Sequence, residues 1–299
     1  MGFGRVRYGD ELVFIQGYDS VQNRWEGSGI RGVQSIDAEF NIPFEPIAFG
    51  GNMFAGTVLN GSKATSSFTI DSLVVTEASA DPLVYLFDKV LSGALNWDGL
   101  GTAQGNYSFE SGFISTYSSS CAVGEIPSLT CSIDVYGEVG NFAPTELFPE
   151  SGKIPDDEIK IAKAGDIKLI NVTGNDTNRI QSYSYELSIP RMDIDTLGGE
   201  YQRRIYDITY PIEVDLSFVI DVDDLETPLL SSLLCNQDIP DITIQLSGCQ
   251  LENNVRTFKI TDPILVSINE SSAISEELQA KISYKSYIKD VNLLPSLIF

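Results

Sequence analysis

No histidine occurs anywhere in the 299 residues, and that absence removes more chemistry than any other feature of the chain. Ser-His-Asp and Cys-His nucleophilic catalysis, HExxH zinc sites and imidazole general-base schemes all need it. P-loop (GxxxxGK[ST]) and nucleophile-elbow (GxSxG) strings are missing as well. Basic residues are scarce: 19 Lys and Arg stand against 42 Asp and Glu, for a formal net charge of −23. The deficit is even, −12 over residues 1–150 (6 against 18) and −11 over 151–299 (13 against 24), so no acidic tail accounts for it. A field of that sign repels phosphate and offers few cations for counterion release, which excludes tight nucleic-acid binding while leaving passage of nucleic acid open. The four cysteines, Cys121, Cys131, Cys235 and Cys249, show no CxxC spacing and are expected to be reduced packing residues. No run approaches the roughly 20 apolar residues of a membrane helix, and the first residues lack the apolar stretch of a secretory signal and the Ser or Thr of a myristoylation signal. A soluble protein that is not exported by that route, with no membrane partner, is the expectation.

What is present is a repeat near 150 residues. Gly9 to Phe14 recurs as Gly165 to Ile170, and Val33-Gln34-Ser35 recurs as Ile180-Gln181-Ser182. The strands that follow end in Ile42-Pro43 and Ile189-Pro190. Phe49-Gly50-Gly51 answers Leu197-Gly198-Gly199, Asp81-Pro82-Leu83 answers Thr227-Pro228-Leu229, and Leu129 to Val135 answers Leu278 to Tyr284. Matches kept in order through a whole copy point to two tandem domains, at 1–142 and 164–299, joined by an extended connector over 143–163 that is rich in Pro and Asp.

Within each copy the hydrophobic period is two, the mark of half-buried strands. Ile36, Ala38, Phe40 and Ile42 alternate with Ser35, Asp37, Glu39 and Asn41, as do Tyr183, Tyr185, Leu187 and Ile189 with Ser182, Ser184, Glu186 and Ser188. Ile212 to Ile220 and Leu129 to Val135 alternate likewise, and one polar face per sheet favours antiparallel pairing. One main α-helix is expected in each copy, opening at Asp81-Pro82 and Thr227-Pro228, with apolar stripes of Leu83, Leu86, Phe87, Val90 and Leu91 and of Leu229, Leu230, Leu233 and Leu234. The fold class is mainly β: two antiparallel β-sandwich or barrel-like domains, each with one helix.

The copies differ most at residues 16–32, a long first hairpin carrying Tyr18, Arg24, Trp25 and Arg31. These residue types anchor interfaces, so the hairpin reads as a subunit contact, or alternatively as a flap folded over its own core. Carboxylate groups such as Asp193 with Asp195, or Asp221, Asp223, Asp224 and Glu226, would serve a glycosidase or a calcium site in principle. The second lacks the glycine and spacing of an EF-hand loop, and among 42 acids such pairs arise by composition. Neither metal nor cofactor is expected, and no enzymatic activity. The sequons at Asn60, Asn106, Asn171, Asn175 and Asn269 read as ordinary polar turns.

The segment Ser111 to Gly137, SGFISTYSSSCAVGEIPSLTCSIDVYG, resembles the tail tube proteins of long-tailed bacteriophages. Ala122-Val123-Gly124-Glu125-Ile126-Pro127 matches that family's VG-(D/E)-x-P turn between two strands, and the second copy carries Ser272 to Glu277 there, without the Gly and Pro. The first hairpin, the Gln-Ser strand and the single helix follow in the family's order. The resemblance implies a sheet that joins neighbouring domains around a channel, with six domains to a ring. Three duplicated chains would then form a pseudo-sixfold homotrimer that stacks into a tube and meets other tail proteins. DNA would pass without specific binding, in a virion tail assembled in the bacterial cytoplasm. The channel-facing candidates are Asp37, Glu39, Glu186, Glu213 and Asp215, opposite the core by periodicity and facing the lumen only through the resemblance; Lys281 and Lys285 break the acidic lining. A tail terminator, tube initiator or baseplate ring of the same fold, or a carbohydrate-binding β-sandwich, are the alternatives.

Overall fold

The computed structural model describes residues 12–19, 22–30, 32–41, 45–47, 57–59, 65–74, 83, 86–97, 107–136, 139–140, 162–170, 180–195, 203–221, 239–248, 254–271 and 279–298. In the N-terminal half these form β1 (Leu12–Asp19), β2 (Arg24–Ile30), β3 (Val33–Asn41), β4 (Glu45–Ile47), β5 (Thr57–Leu59), β6 (Thr65–Leu73), β7 (Val90–Trp97), β8 (Tyr107–Ala122), β9 (Ser128–Val135) and β10 (Val139–Gly140). The C-terminal half supplies β11 (Ala162–Ile170), β12 (Ile180–Ser188), β13 (Arg191–Asp195), β14 (Arg203–Ile208) and β15 (Ile212–Asp221). It continues with β16 (Ile242–Gly248), β17 (Asn254–Ile260), β18 (Ile264–Ser271), β19 (Gln279–Ile288) and a 3-10 helix, Val291–Ser296, whose N-cap Asp290 accepts from the Asn292 N–H. The protein is mainly β, and every pairing among the described residues is antiparallel.

One sheet runs through both halves. In spatial order it reads β3-β6-β9-β8-β12-β15-β19-β18, and the halves meet where the C-terminal part of β8 pairs with β12, Ser120 opposite Ser184 and Tyr117 opposite Leu187. The alternation read from the sequence holds: β9 is buried at every second residue, and Tyr183, Tyr185 and Leu187 of β12 are buried while Ser184 and Glu186 between them are exposed. On the apolar face lies a second layer. In the N-terminal half it is β2-β1-β7 with the N-terminal part of β8, which bends from one layer into the other; in the C-terminal half it is β11-β16-β17. Aromatic rings join the layers: Phe68 of β6 stacks on Phe109 of β8 at 5.3 Å between centroids, and Tyr185 of β12 lies 5.1 Å from Phe258 of β17. Packing two apolar faces this way is how a sandwich removes both from water.

The pairing order of the first half recurs in the second. Strands β3, β6, β9 and β8 take the places of β12, β15, β19 and β18, and β1, β7 and the start of β8 those of β11, β16 and β17. Two β-bulges recur as well. In β3, Val33 faces Ser72 and Ser35 faces Asp71, leaving Gln34 over; in β12, Ile180 faces Ile220 and Ser182 faces Val219, leaving Gln181 over. In β8, Ser115 is extra between Ile114 and Thr116; in β18, Val266 is extra between Leu265 and Ser267. A bulge disrupts a ladder at one defined place, so the four fix the correspondence residue by residue. They correct one sequence match: by the ladders Cys131 corresponds to Ile282, which places Leu129 to Val135 against Ala280 to Ser286, two residues later than Leu278 to Tyr284. The shift is even, so the face assignment survives.

The helix expectation fares differently. Leu83 and Leu86 have 3-10 geometry and are buried with Phe87, but Val90 and Leu91, expected on the same helical stripe, open β7 and pair with β1. Their apolar side chains suit either element, and the sheet claims them. The stripe from Leu229 to Leu234 lies outside the described residues, as do Cys235 and Cys249. Cys121 and Cys131 are buried, and burial, with Glu125 nearby, pushes the Cys121 thiol up to about 11. Of the expected connector, 143–161 lies outside the described residues, while Ala162 and Lys163 already belong to β11. The string Gly27 to Gly32 also satisfies GxGxxG. It runs through β2 toward β3 in an antiparallel hairpin, not from a strand into a helix N-terminus, so the geometry of a dinucleotide site is lacking.

Buried tyrosines give the core an alkaline limit. Burial holds the phenols of Tyr183, Tyr185 and Tyr284 above their ordinary 10.0, Tyr284 at about 12. The unfolded chain releases these protons first, so stability is intact below pH 10 and falls as pH rises from there toward the folded values. Far-UV circular dichroism should show unfolding setting in between pH 10 and 12, shifted upward in Tyr185→Phe.

Candidate functional site

The uncovered face of the long sheet carries the candidate residues. Cross-strand registry lines up Ser128, Ser120, Ser184, Ser217, Ser283 and Ser267, one from each of β9, β8, β12, β15, β19 and β18. Six consecutive strands thus present a hydroxyl in one row across the junction of the halves. The neighbouring row runs Asp71, Thr130, Ser118, Glu186, Asp215 and Lys285. Reading the strands singly shows polar residues opposite the core. Only the registry shows that they align, and that hydroxyls rather than carboxylates dominate these two rows.

All five channel candidates lie on this face. Asp37, Glu39 and Glu186 are exposed, whereas Glu213 and Asp215 are partly covered and share a partner, with Lys285 Nζ 2.8 Å from one and 3.4 Å from the other. The Glu213 hydrogen bond, with Asp215 adding to it, raises the Lys285 pKa above its ordinary value. On an open surface such a pair contributes little to stability; its effect is to neutralise part of the C-terminal half's acidity. Lys281 is exposed on the same face, opposite Val219 and Asn269. Two carboxylates not singled out from the sequence also lie here. Asp71 accepts from Ser35 Oγ (2.8 Å) and Thr130 Oγ1 (2.6 Å), and Asp134 accepts from Ser115 Oγ and Tyr136 Oη (both 3.2 Å). Short side chains bonded to their neighbours make a face that is polar yet low in relief.

At one end of the junction Arg191 ties the halves together. Its guanidinium donates to the Phe87 carbonyl at 2.6 Å and stacks 4.2 Å over the Phe113 ring, and burial lowers its pKa from the ordinary value. Beside it is a cavity of about 230 Å³ lined by residues that include Ser115, Asp134, Tyr136, Ser188 and Arg191.

The first hairpin is β1 paired with β2, and its base is core: Val13, Phe14, Ile15 and Ile30 are buried. Gly27 is required there, because a Cβ would sit 2.7 Å from the Phe14 ring. Toward the tip Tyr18 faces Trp25 at 5.4 Å between ring centroids, both partly exposed, and Arg24 is exposed. The base of the hairpin is folded on its own domain, and the tip presents aromatics and an arginine. Arg31 lies outside the described residues. Asp193 and Asp195 fall on β13 and Asp221 ends β15, while Asp223, Asp224 and Glu226 are outside the described residues. Among the described residues no three His, Cys, Asp or Glu side chains gather in a metal-binding group, and no helix is long and apolar enough to cross a membrane. Asn269 sits within β18, a strand and not the expected turn; the asparagines of the other four sequons lie outside the described residues. A scan against protein-family models returns no match, and no curated protein matches the chain.

Proposed function

We propose that the chain is a structural subunit of a bacteriophage tail tube, built from two tandem tube domains. Three chains form a ring with pseudo-sixfold symmetry, and rings stack around a channel that DNA crosses without specific binding. The helix of the second domain would occupy the segment opening at Thr227-Pro228; in the first, the chain has 3-10 geometry at Leu83 and Leu86 and enters β7 at Val90. The observation that carries this reading is the long sheet itself: its strand order and bulges recur in the two halves, and one face is a hydroxyl and carboxylate surface with no layer over it among the described residues. A channel for DNA needs low relief and a negative field that keeps phosphates from adhering. The hydroxyl and carboxylate character of the face supports a conduit.

Native mass spectrometry of the purified chain should show three chains per ring, and electron microscopy should show stacked rings with sixfold-like projections. A stable monomer, or a ring of six chains, would overturn the pseudo-sixfold arrangement. Single rings that never stack would move the assignment to a tail terminator, initiator or baseplate ring.

A further inference from the structure

Where the two halves join, one end of the long sheet gathers polar groups of opposite kinds around the cavity of about 230 Å³. Asp134 lines it, each carboxylate oxygen accepting one bond at 3.2 Å, from Ser115 Oγ and from Tyr136 Oη. Arg191 lines it too, fixed by its bond to the Phe87 carbonyl and its stacking on Phe113. The Arg191 Nε is buried with no hydrogen-bond partner among the described residues, a costly state for a donor. Thr116 and Ser188, directly opposite each other on β8 and β12, add two hydroxyls. Ile189, Pro190 and Tyr136 supply apolar surface, with the Tyr136 ring tilted against Phe113 at 6.0 Å between centroids. The Thr209 N–H donates to the Pro190 carbonyl at 2.7 Å, which brings Tyr210 alongside, and Tyr210 is 46% exposed.

The duplication separates what the fold demands from what it does not. By the bulge-anchored correspondence Ser115 answers Val266, Asp134 answers Lys285 and Tyr136 answers Tyr287. After the matched Ile-Pro pairs, Arg191 answers Phe44. The same strands are thus built elsewhere in this chain with a valine and a lysine, so strand pairing does not account for the serine and the carboxylate. Among the described residues the hydroxyl, the carboxylate and the guanidinium come together only at the junction, which makes one site per chain.

Charge and size select the ligand. Guanidinium and carboxylate offset each other, an anion such as phosphate is repelled by a chain of net charge −23, and a cation would meet Arg191. A neutral ligand bearing hydroxyls suits both partners, since a hydroxyl can donate to a carboxylate that only accepts and accept from a guanidinium that only donates. The volume falls below the roughly 300 Å³ at which pockets for drug-sized molecules begin, so there is room for a single six-membered ring. An apolar wall with tyrosines beside it suits a ring that also has a C–H face. We infer that the cavity binds one pyranose ring of a neutral glycan, its hydroxyls between Asp134, Arg191 and Ser188 and its C–H face against Tyr136, with Tyr210 closing the rim. The site lies within a single chain and does not depend on the tube reading.

Saturation-transfer NMR on the full chain, with the methyl glycosides of glucose, galactose and mannose and with N-acetylglucosamine as probes, tests this. At least one should bind with a Kd on the order of 1 mM, the scale for a ligand of about a dozen non-hydrogen atoms. Asp134→Ala should weaken that binding at least tenfold and Tyr210→Ala at least threefold. Lys285→Ala, at the corresponding place in the second half, should change it less than twofold. Circular dichroism checks the fold of each variant, and Ser188→Ala, expected to weaken binding at least threefold, replaces Asp134→Ala if that chain misfolds. No binding of any of the four sugars at about 20 mM, well above the expected Kd, would overturn the site. So would unchanged binding by the folded Asp134 or Ser188 variant and the Tyr210 variant, or tighter binding of inorganic phosphate than of any sugar. Each of these results leaves the tube reading standing, and sugar binding by a chain that never forms rings would overturn the tube and leave the site.

Discussion

Replacing Tyr185 with alanine should cost about 3–5 kcal/mol of folding stability, as truncation of a large buried ring does, and remove much of a total that for ordinary domains is only about 5–15 kcal/mol. Tyr185 is 0% exposed in the middle of β12, its ring against Phe258 and its hydroxyl 3.4 Å from the Lys259 carbonyl. The ring therefore fastens the long sheet to the β11-β16-β17 layer beside the strand that joins the two halves. Tyr185→Phe keeps the packing and gives up one long hydrogen bond, so its cost should stay near or below about 1 kcal/mol. Urea titration followed by fluorescence measures both. A loss under 1 kcal/mol in the alanine variant would mean that the layers are held elsewhere. Its counterpart on β3, Ala38, is already small and only partly buried, so truncation there should cost far less.

How much of this was legible in the sequence depends on the range of the interaction. Period-two alternation is written in adjacent residues, so the strands and their buried faces could be read directly. The Val33-Gln34-Ser35 and Ile180-Gln181-Ser182 match was also legible, and the structure shows why the pair persists: each glutamine is the extra residue of a bulge. The helical stripe misled because Leu83, Leu86, Phe87, Val90 and Leu91 satisfy a helical spacing while Val90 and Leu91 complete a ladder with β1, and long-range pairing overrides local propensity. For the site, polarity opposite the core was readable strand by strand. The serine row was not, because it depends on the registers of five separate pairings, and neither was Arg191, whose partners Phe87 and Phe113 are 104 and 78 residues away in sequence.

On the proposed conduit reading, reversing Asp37 and Glu186 to lysine should make the uncovered face hold DNA. Both carboxylates are exposed on the uncovered face, so folding should change by no more than about 1 kcal/mol per site. The formal charge of each chain rises from −23 by four, and three chains bring six lysines to one ring at two levels of the lining. Glu39→Lys, at the position equivalent to Glu186, would add three more lysines at that same level. Reversing Glu213 and Asp215 would instead surround Lys285 with like charge and dissolve the ion pairs at 2.8 and 3.4 Å, mixing a local repulsion into the readout. Preformed assemblies of the Asp37 and Glu186 variant should retain duplex DNA at low salt and release it as salt rises, with the logarithm of affinity falling linearly by about 0.9 per phosphate contacted. Wild-type assemblies should retain none at either salt. If the variant assembles and holds no more DNA than the wild type at any salt, the hydroxyl and carboxylate face does not line a DNA path. The sheet would then be a scaffold whose polar side merely meets solvent.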